Sequence, residues 1–194
     1  MNKLGKIILL GVMSIVVTNC AVIAVGAVGA AAGTTAVVAS DPRLSGTVVS
    51  DNTIATKLKV KYSDYDNANI YVNTYNGAVL LTGQIANAKM KESAEFEARV
   101  TPGVKRIYNY LQIRLPQSFA SISTDSYTTT QVRAKILNIY GVKSNDIKVV
   151  TTDNVVYLFG VLTQVQARDV AEKAAHVNGV AKVITFFEYI STPK

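Results

Sequence analysis

Apolar and polar positions alternate through Ile70-Tyr71-Val72-Asn73-Thr74 and again through Ile147-Lys148-Val149-Val150-Thr151. A period of two marks a strand. Upstream of each run the period changes to three or four. Ile54, Leu58 and Tyr62 form one such stripe, and Val132, Ile136 and Tyr140 form another. These predict two helices whose named residues face a core. Ser50 or Asp51 is expected to cap the first. Asn76-Gly77 is a strong hairpin signal because both turn positions tolerate positive φ, and Asp153-Asn154 is its weaker counterpart. Val79–Leu81 and Val155–Phe159 then read as return strands that end at Gly83 and Gly160. Asn87 and Thr163 are expected to cap second helices over 88–100 and 164–177. Their inward positions are Met90, Ala94 and Ala98 in one and Ala167, Ala171 and Ala174 in the other. Gly103 and Gly179 stop those helices, and last strands follow over 104–113 and 180–189.

The two series are one unit written twice. At an offset of 77, Ile70/Ile147, Val72/Val149, Thr74/Thr151, Val79/Val156, Leu81/Leu158 and Gly83/Gly160 coincide. The prediction is an α+β fold of two tandem αββαβ domains, 47–115 and 124–191, with helices packed on small mixed sheets. Residues 116–123 are expected to be the linker, with Phe119 and the Ser/Thr-rich 117–130 stretch joining the domains. Such small units have thin cores, so packing the copies together would stabilise both.

The first third of the chain obeys neither period. Lys3 and Lys6 precede an apolar run from Ile7 to Val17, and Cys20 follows Val17-Thr18-Asn19. A basic end before a short apolar run is the pattern of a secretory signal peptide, here 1–19. Cys20, the sole cysteine, sits where a bacterial lipobox places the lipid-modified residue, with Asn19 in place of the usual Gly, Ala or Ser. Ala21 rather than Asp follows it, which by resemblance to other lipoproteins points to the outer membrane. Ile7–Ala39 is also long and uncharged enough for a retained membrane span, with Gly29 and Gly33 in GxxxG spacing. Residues 20–46 read as a lipidated N-terminus and Ala/Gly-rich linker, broken at Asp41-Pro42.

Composition narrows the chemistry. One cysteine excludes an intramolecular disulfide framework, and one histidine with one cysteine is too few for a zinc cluster. The net charge of +7, lowered by two if the leader is removed, names no partner by itself. His176 has no Ser–His–acid spacing around it. Glu92, Glu95 and Glu97 lie among Lys89, Lys91 and Arg99, where Glu95 pairs with Lys91 or Arg99 across one helical turn. Tyr62, Tyr65, Tyr71, Tyr75, Tyr108 and Tyr110, with nearby lysines, imitate a nucleic-acid platform. An export signal removes that reading, and these rings, with Phe96, are expected in the core, between the domains or at a partner surface.

Val79-x-Leu81-x-Gly83 with Gly103-Val104, repeated as Val156-x-Leu158-x-Gly160 with Gly179-Val180, resembles the BON domain. Two such units behind a lipobox resemble the dual-BON outer-membrane lipoproteins. The resemblance implies a non-enzymatic protein without a cofactor or metal. It would be anchored at Cys20 on the periplasmic face of the outer membrane, maintain membrane integrity and gather at the division site. It further implies docking on anionic phospholipid, phosphatidylglycerol or cardiolipin, through the first helix of the second domain. The residues expected to carry this are Tyr127, Gln131, Arg133, Lys135 and Leu137. The alternative is an adaptor for an envelope protein, with lipid contact secondary. Nucleic acid is not an expected partner.

Overall fold

The computed structural model describes residues 45–116 and 118–191. The expected signal peptide, Cys20 and the Ala/Gly-rich stretch lie outside the described residues. The first domain runs α1 (Ser45–Tyr62), β1 (Asn69–Tyr75), β2 (Ala78–Ile85), α2 (Ala88–Arg99), β3 (Arg106–Asn109) and β4 (Gln112–Ile113). The second runs α3 (Phe119–Ile136), β5 (Ile147–Thr152), β6 (Val155–Leu162), α4 (Gln164–Ala175) and β7 (Lys182–Tyr189). In each, an antiparallel hairpin supplies the edge and centre of the sheet, and a helical crossover returns the last strand parallel to the centre. Asn87 and Thr163 do cap α2 and α4, and Thr163 forms a reciprocal capping box with Gln166.

Strand parity sorts the side chains into three cores. Val72, Val79, Leu81 and Ile85 face α1 and α2, where Ile54, Leu58, Tyr62, Ala94 and Ala98 meet them. Val149, Val156, Leu158 and Leu162 face α3 and α4 in the same way. The opposite faces of the two sheets pack on each other. Tyr75, Ala78, Leu80, Tyr157 and Phe159 are buried there, flanked by Tyr108 and Phe186. The result is four layers, helices–sheet–sheet–helices. This explains why β2 is buried at every position, since neither of its faces meets water.

The contact is pseudo-symmetric. The hairpin turn of the first domain reaches the last strand of the second, where the Asn76 side-chain amide donates to both Glu188 carboxylate oxygens at 2.9 and 2.7 Å. The hairpin turn of the second domain reaches back to the first. Asp153 accepts from Gln84 Nε2 at 2.8 Å and pairs with Arg114. Thr152 donates to Thr82 at 3.0 Å in the buried seam.

Several sequence expectations are corrected. Helix α1 begins at Ser45, so Ser50 and Asp51 are inside it and neither is its cap. Helix α3 begins at Phe119, so most of the expected 116–123 linker, and the Ser/Thr-rich stretch after it, is helical. Tyr140 lies beyond the end of α3 and is fully exposed, and Ile139 takes the core position instead. The last strand of the first domain is interrupted between β3 and β4. Gly83 and Gly160 do not end their strands but lie within them. A Cβ on Gly83, at φ +108°, would stand 1.9 Å from the Asn69 carbonyl oxygen, so the adjacent strand edge requires glycine.

Candidate functional site

Helix α3 is unusually rich in serine and threonine, which are poor helix formers because their hydroxyls compete for backbone groups. Here the hydroxyls bond back along the helix. Ser123, Thr124, Ser126 and Thr130 each donate to the carbonyl four residues earlier, at 2.9 to 3.1 Å. Ser118 caps the N-terminus by accepting from Ser121 N–H at 3.3 Å. One face, formed by Asp125, Thr128, Val132 and Ile136, is buried.

Asp125 fixes where that helix sits. Its carboxylate accepts the backbone N–H groups of Asp153 and Asn154 at 2.8 and 3.0 Å, in the hairpin turn between β5 and β6. Both turn residues have positive φ, so their N–H groups converge on one anion. Asp51 does the same for Asn76 and Gly77 in the first domain, at 2.7 Å each. Each aspartate therefore locks the first helix of its domain onto the hairpin.

The predicted site residues lie along the outer side of α3 and, for Leu137, at its C-cap, but not in one line. At about 100° per residue, the outward arc runs from Arg133 through Leu137, then Tyr127 and Gln131, to Lys135. The two cations stand at opposite borders of the arc and the apolar groups lie between them. Tyr127 is 66% exposed and Leu137 48% exposed, whereas Gln131 is half-buried. Arg133 and Leu137 also line a small surface cleft with Lys143, which adds a third cation on that side. Phe119 belongs to the same arc and was not singled out as a site residue. It is 90% exposed. Eighteen residues separate it from Leu137, which is five turns, or about 27 Å along one line of the helix. Reading 116–123 as a linker conceals it, and the signal the sequence carries is Ser118, a capping residue directly before Phe119.

The other candidates resolve into structure. His176 caps the C-terminus of α4, with Nδ1 at 2.8 Å from the Glu172 carbonyl oxygen. Glu95 pairs with Arg99 at 2.7 Å and accepts from Asn109 Nδ2 at 3.0 Å, and these bonds hold its carboxyl below the usual range. Lys91 turns instead to the Leu111 carbonyl, at 2.6 Å. Among the described residues no group of three or more His, Cys, Asp or Glu side chains is placed to hold a metal ion. The aromatic cluster divides: Tyr62 lies in the helix-side core with Tyr65 against it, Tyr71 lines a surface cleft beside α3, and Tyr75, Tyr108 and Tyr110 line the seam between sheets. Tyr108 lies 4.0 Å from Phe186 between ring centroids, Tyr75 is 5.8 Å from Phe159, and Tyr110 is 5.2 Å from Tyr157. Burial pushes the Tyr157 hydroxyl up to about 12, with Tyr110 and Asp153 adding to the effect. Phe96 is 64% exposed on α2 and does not join that seam.

The family model of the BON domain matches residues 50–114 and 124–190. The chain is 39% identical over 196 residues to the outer membrane lipoprotein DolP of Haemophilus influenzae, covering 98% of each chain. It is 37% identical to a 21 kDa hemolysin of Actinobacillus pleuropneumoniae, over 77% of this chain and 79% of that one. It is also 33% identical to the osmotically-inducible protein Y of Escherichia coli, over 71% of this chain and 72% of that one.

Proposed function

The chain belongs to the BON-domain family, and from that premise we propose that it is a non-enzymatic outer-membrane lipoprotein that docks on anionic phospholipid through α3. In this reading Cys20 carries the lipid anchor on the periplasmic face of the outer membrane. The docked domains support the integrity of that membrane. A relative named as an outer membrane lipoprotein, matched from end to end, supports the localisation. The observation that carries the docking surface is the outward arc of α3. Tyr127, Leu137 and Phe119 present rings and aliphatic carbon at its centre, and Arg133 and Lys135 border it. Apolar groups settle at the boundary of headgroups and acyl chains, while flanking cations meet lipid phosphates. Each cation contributes about 1 kcal/mol near an anionic surface and only within a Debye length. Two or three cations therefore hold weakly alone, and the anchor keeps them within range.

The three cores close within residues 54–187, so a fragment of residues 40–194 retains the folded unit. Co-sedimentation of this fragment with phosphatidylglycerol or cardiolipin vesicles, against phosphatidylcholine vesicles, tests the reading. Arg133→Glu with Lys135→Glu should abolish binding to anionic vesicles, because two attractions of about 1 kcal/mol each become repulsions. Equal binding by the parent and the double variant, or none by the parent with lipid raised to about 10 mM to offset the missing anchor, refutes docking through α3.

A further inference from the structure

The last strands of the two domains occupy equivalent places but are finished differently. In the first domain the strand is broken at Tyr110–Leu111, and α2 is tied across it. Lys91 Nζ donates to the Leu111 carbonyl at 2.6 Å, and Asn109 Nδ2 donates to Glu95 at 3.0 Å. In the repeat, the residues at these places are Arg168, Phe187, Thr185 and Glu172. None of those cross-ties recurs among the bonds of the described residues, and Arg168 turns to its neighbour Asp169 at 3.4 Å. Strand β7 runs unbroken for 8 residues at the edge of its sheet.

That edge is open on both faces. Between α4 and β7 lies a cleft of about 390 Å³, floored by Ala167 and Ala171 and walled by Phe187 and Tyr189. On the other face of β7 a second cleft, of about 340 Å³, is lined by Arg106, Tyr108 and Phe186. The backbone has the matching parity. Ile190 N–H donates to the Leu162 carbonyl at 2.9 Å, so alternate residues from 190 backwards face β6. Val183, Thr185, Phe187 and Tyr189 therefore turn their N–H and C=O groups away from the sheet. A continuous edge of this kind is a template for another strand, and proteins usually blunt it as the first domain does.

We propose that the β7 edge binds an extended peptide segment of alternating apolar and acidic residues by strand addition. Successive side chains of an added strand point to opposite faces, and each face here has a cleft to receive them. The sign of the charge follows from one rim. Arg106, with Lys105 beside it, stands at the cleft lined by Tyr108 and Phe186, so the acidic side chains take that face and the apolar ones take the cleft over Ala167 and Ala171. Glu188 shares that rim and keeps its charge while accepting from the neutral Asn76 amide, but Lys105 and Arg106 outnumber it and leave the rim positive. This surface is separate from α3, and the proposal does not rest on lipid docking.

The test is fluorescence anisotropy of the full chain in detergent micelles with a labelled peptide of about eight residues alternating valine and glutamate, a length matched to β7. Saturable binding is expected. A lysine-for-glutamate peptide, and a peptide N-methylated at alternate residues, should each bind at least roughly tenfold more weakly. Thr185→Pro removes an outward N–H and leaves the β6 ladder intact, so it should weaken binding by a similar factor. Lys105→Glu with Arg106→Glu should do so too, while Arg133→Glu with Lys135→Glu should not. Absence of saturable binding to about 1 mM, or equal binding of the N-methylated peptide, overturns the proposal whether or not the proline variant folds. Equal binding of the lysine peptide overturns the acidic assignment.

Discussion

Phe159 is the residue on which the coupling of the two domains depends. It is 1% exposed, and its ring lies 4.7 Å from Phe186, 5.8 Å from Tyr75 and 6.2 Å from Tyr108 between centroids. Two of those neighbours belong to the first domain and one to the second. Phe159→Ala removes a filled position from a core made by both sheets, at a cost of about 3–5 kcal/mol. Leu158, its neighbour in sequence, is fully buried on the other face of the same strand and contacts only its own domain's core. Leu158→Ala costs about 2–5 kcal/mol. The two losses are comparable in size but different in kind. Leu158→Ala weakens the second domain while the seam persists. Phe159→Ala leaves each domain its own helix-side core and weakens what joins them. Scanning calorimetry of residues 40–194 should show one transition for the parent protein. For a unit of this size each kcal/mol shifts the midpoint by about 2–4 °C. Phe159→Ala should therefore melt at least about 6 °C lower, and in two steps. If it melts as one transition at the parent temperature, or if Leu158→Ala separates the domains and Phe159→Ala does not, the seam does not couple them.

Other consequences follow from single positions. Asp51→Ala and Asp125→Ala each leave two turn N–H groups without their carboxylate and should each cost about 2–3 kcal/mol in urea unfolding. A large difference between them would contradict the equivalence of the two capped hairpins. Gly83→Ala should unfold the first domain, because its Cβ meets a carbonyl at 1.9 Å, while Gly160→Ala, at 3.0 Å from the Asp146 carbonyl, should leave a folded protein of reduced stability. Tyr157 ionises near 12 in the folded protein and near 10 when unfolded. Its folded pKa is the higher, so its contribution is intact below pH 10 and is lost as pH rises from 10 to 12. The slope is up to about 1.4 kcal/mol per pH unit. Urea midpoints across that range should show this slope, reduced in Tyr157→Phe; an unchanged slope in the variant would place the titration elsewhere.

The helix-side cores were legible because each needs only one period. Ile54, Leu58 and Tyr62 face one direction at helical spacing, and Val79 and Leu81 face one direction at strand spacing. The seam between sheets was not legible from periodicity. Ala78, Leu80, Tyr157 and Phe159 fill the alternate positions of strands already buried on one side, so those strands read as continuous apolar runs and show no second face. Asp51 was misplaced for a related reason. An aspartate near a helix start is ordinarily a cap, and only the folded hairpin, closing from 25 residues away, shows that its carboxylate serves another turn. Phe119 was hidden by composition, since the serines and threonines after it favour loops unless their hydroxyls bond back along the helix. Tyr140 failed because α3 ends at Ile136 and the stripe does not continue past it.

In the proposed docking, the layer order constrains which helix meets a membrane. The sheets pack on each other, so α1 and α3 lie on opposite outer sides of the folded unit and a flat surface touches one at a time. Charge does not select between them. Lys57, Lys59 and Lys61 occupy the places on α1 that Gln131, Arg133 and Lys135 occupy on α3, 74 residues later. The apolar groups differ. Where α3 has Phe119, Tyr127 and Leu137, α1 has Ser45, Thr53 and Ser63, and its exposed apolar residues are Val49 and Val60. Valines bury less carbon than an aromatic ring and lack the amphipathic ring that settles at headgroup depth. If the apolar centre of the arc selects α3, then Thr53→Tyr with Ser63→Leu, both at exposed positions, should give α1 a docking face of its own. A fragment with two docking faces on opposite sides joins vesicles to one another. Turbidity of phosphatidylglycerol vesicles should rise with the double variant, stay low with the parent, and fall again when Arg133→Glu and Lys135→Glu are added. Joining of vesicles by the parent fragment would mean that the lysines of α1 suffice. No joining by the variant, with its binding through α3 intact, would mean that ring and cation placement alone does not make the docking face.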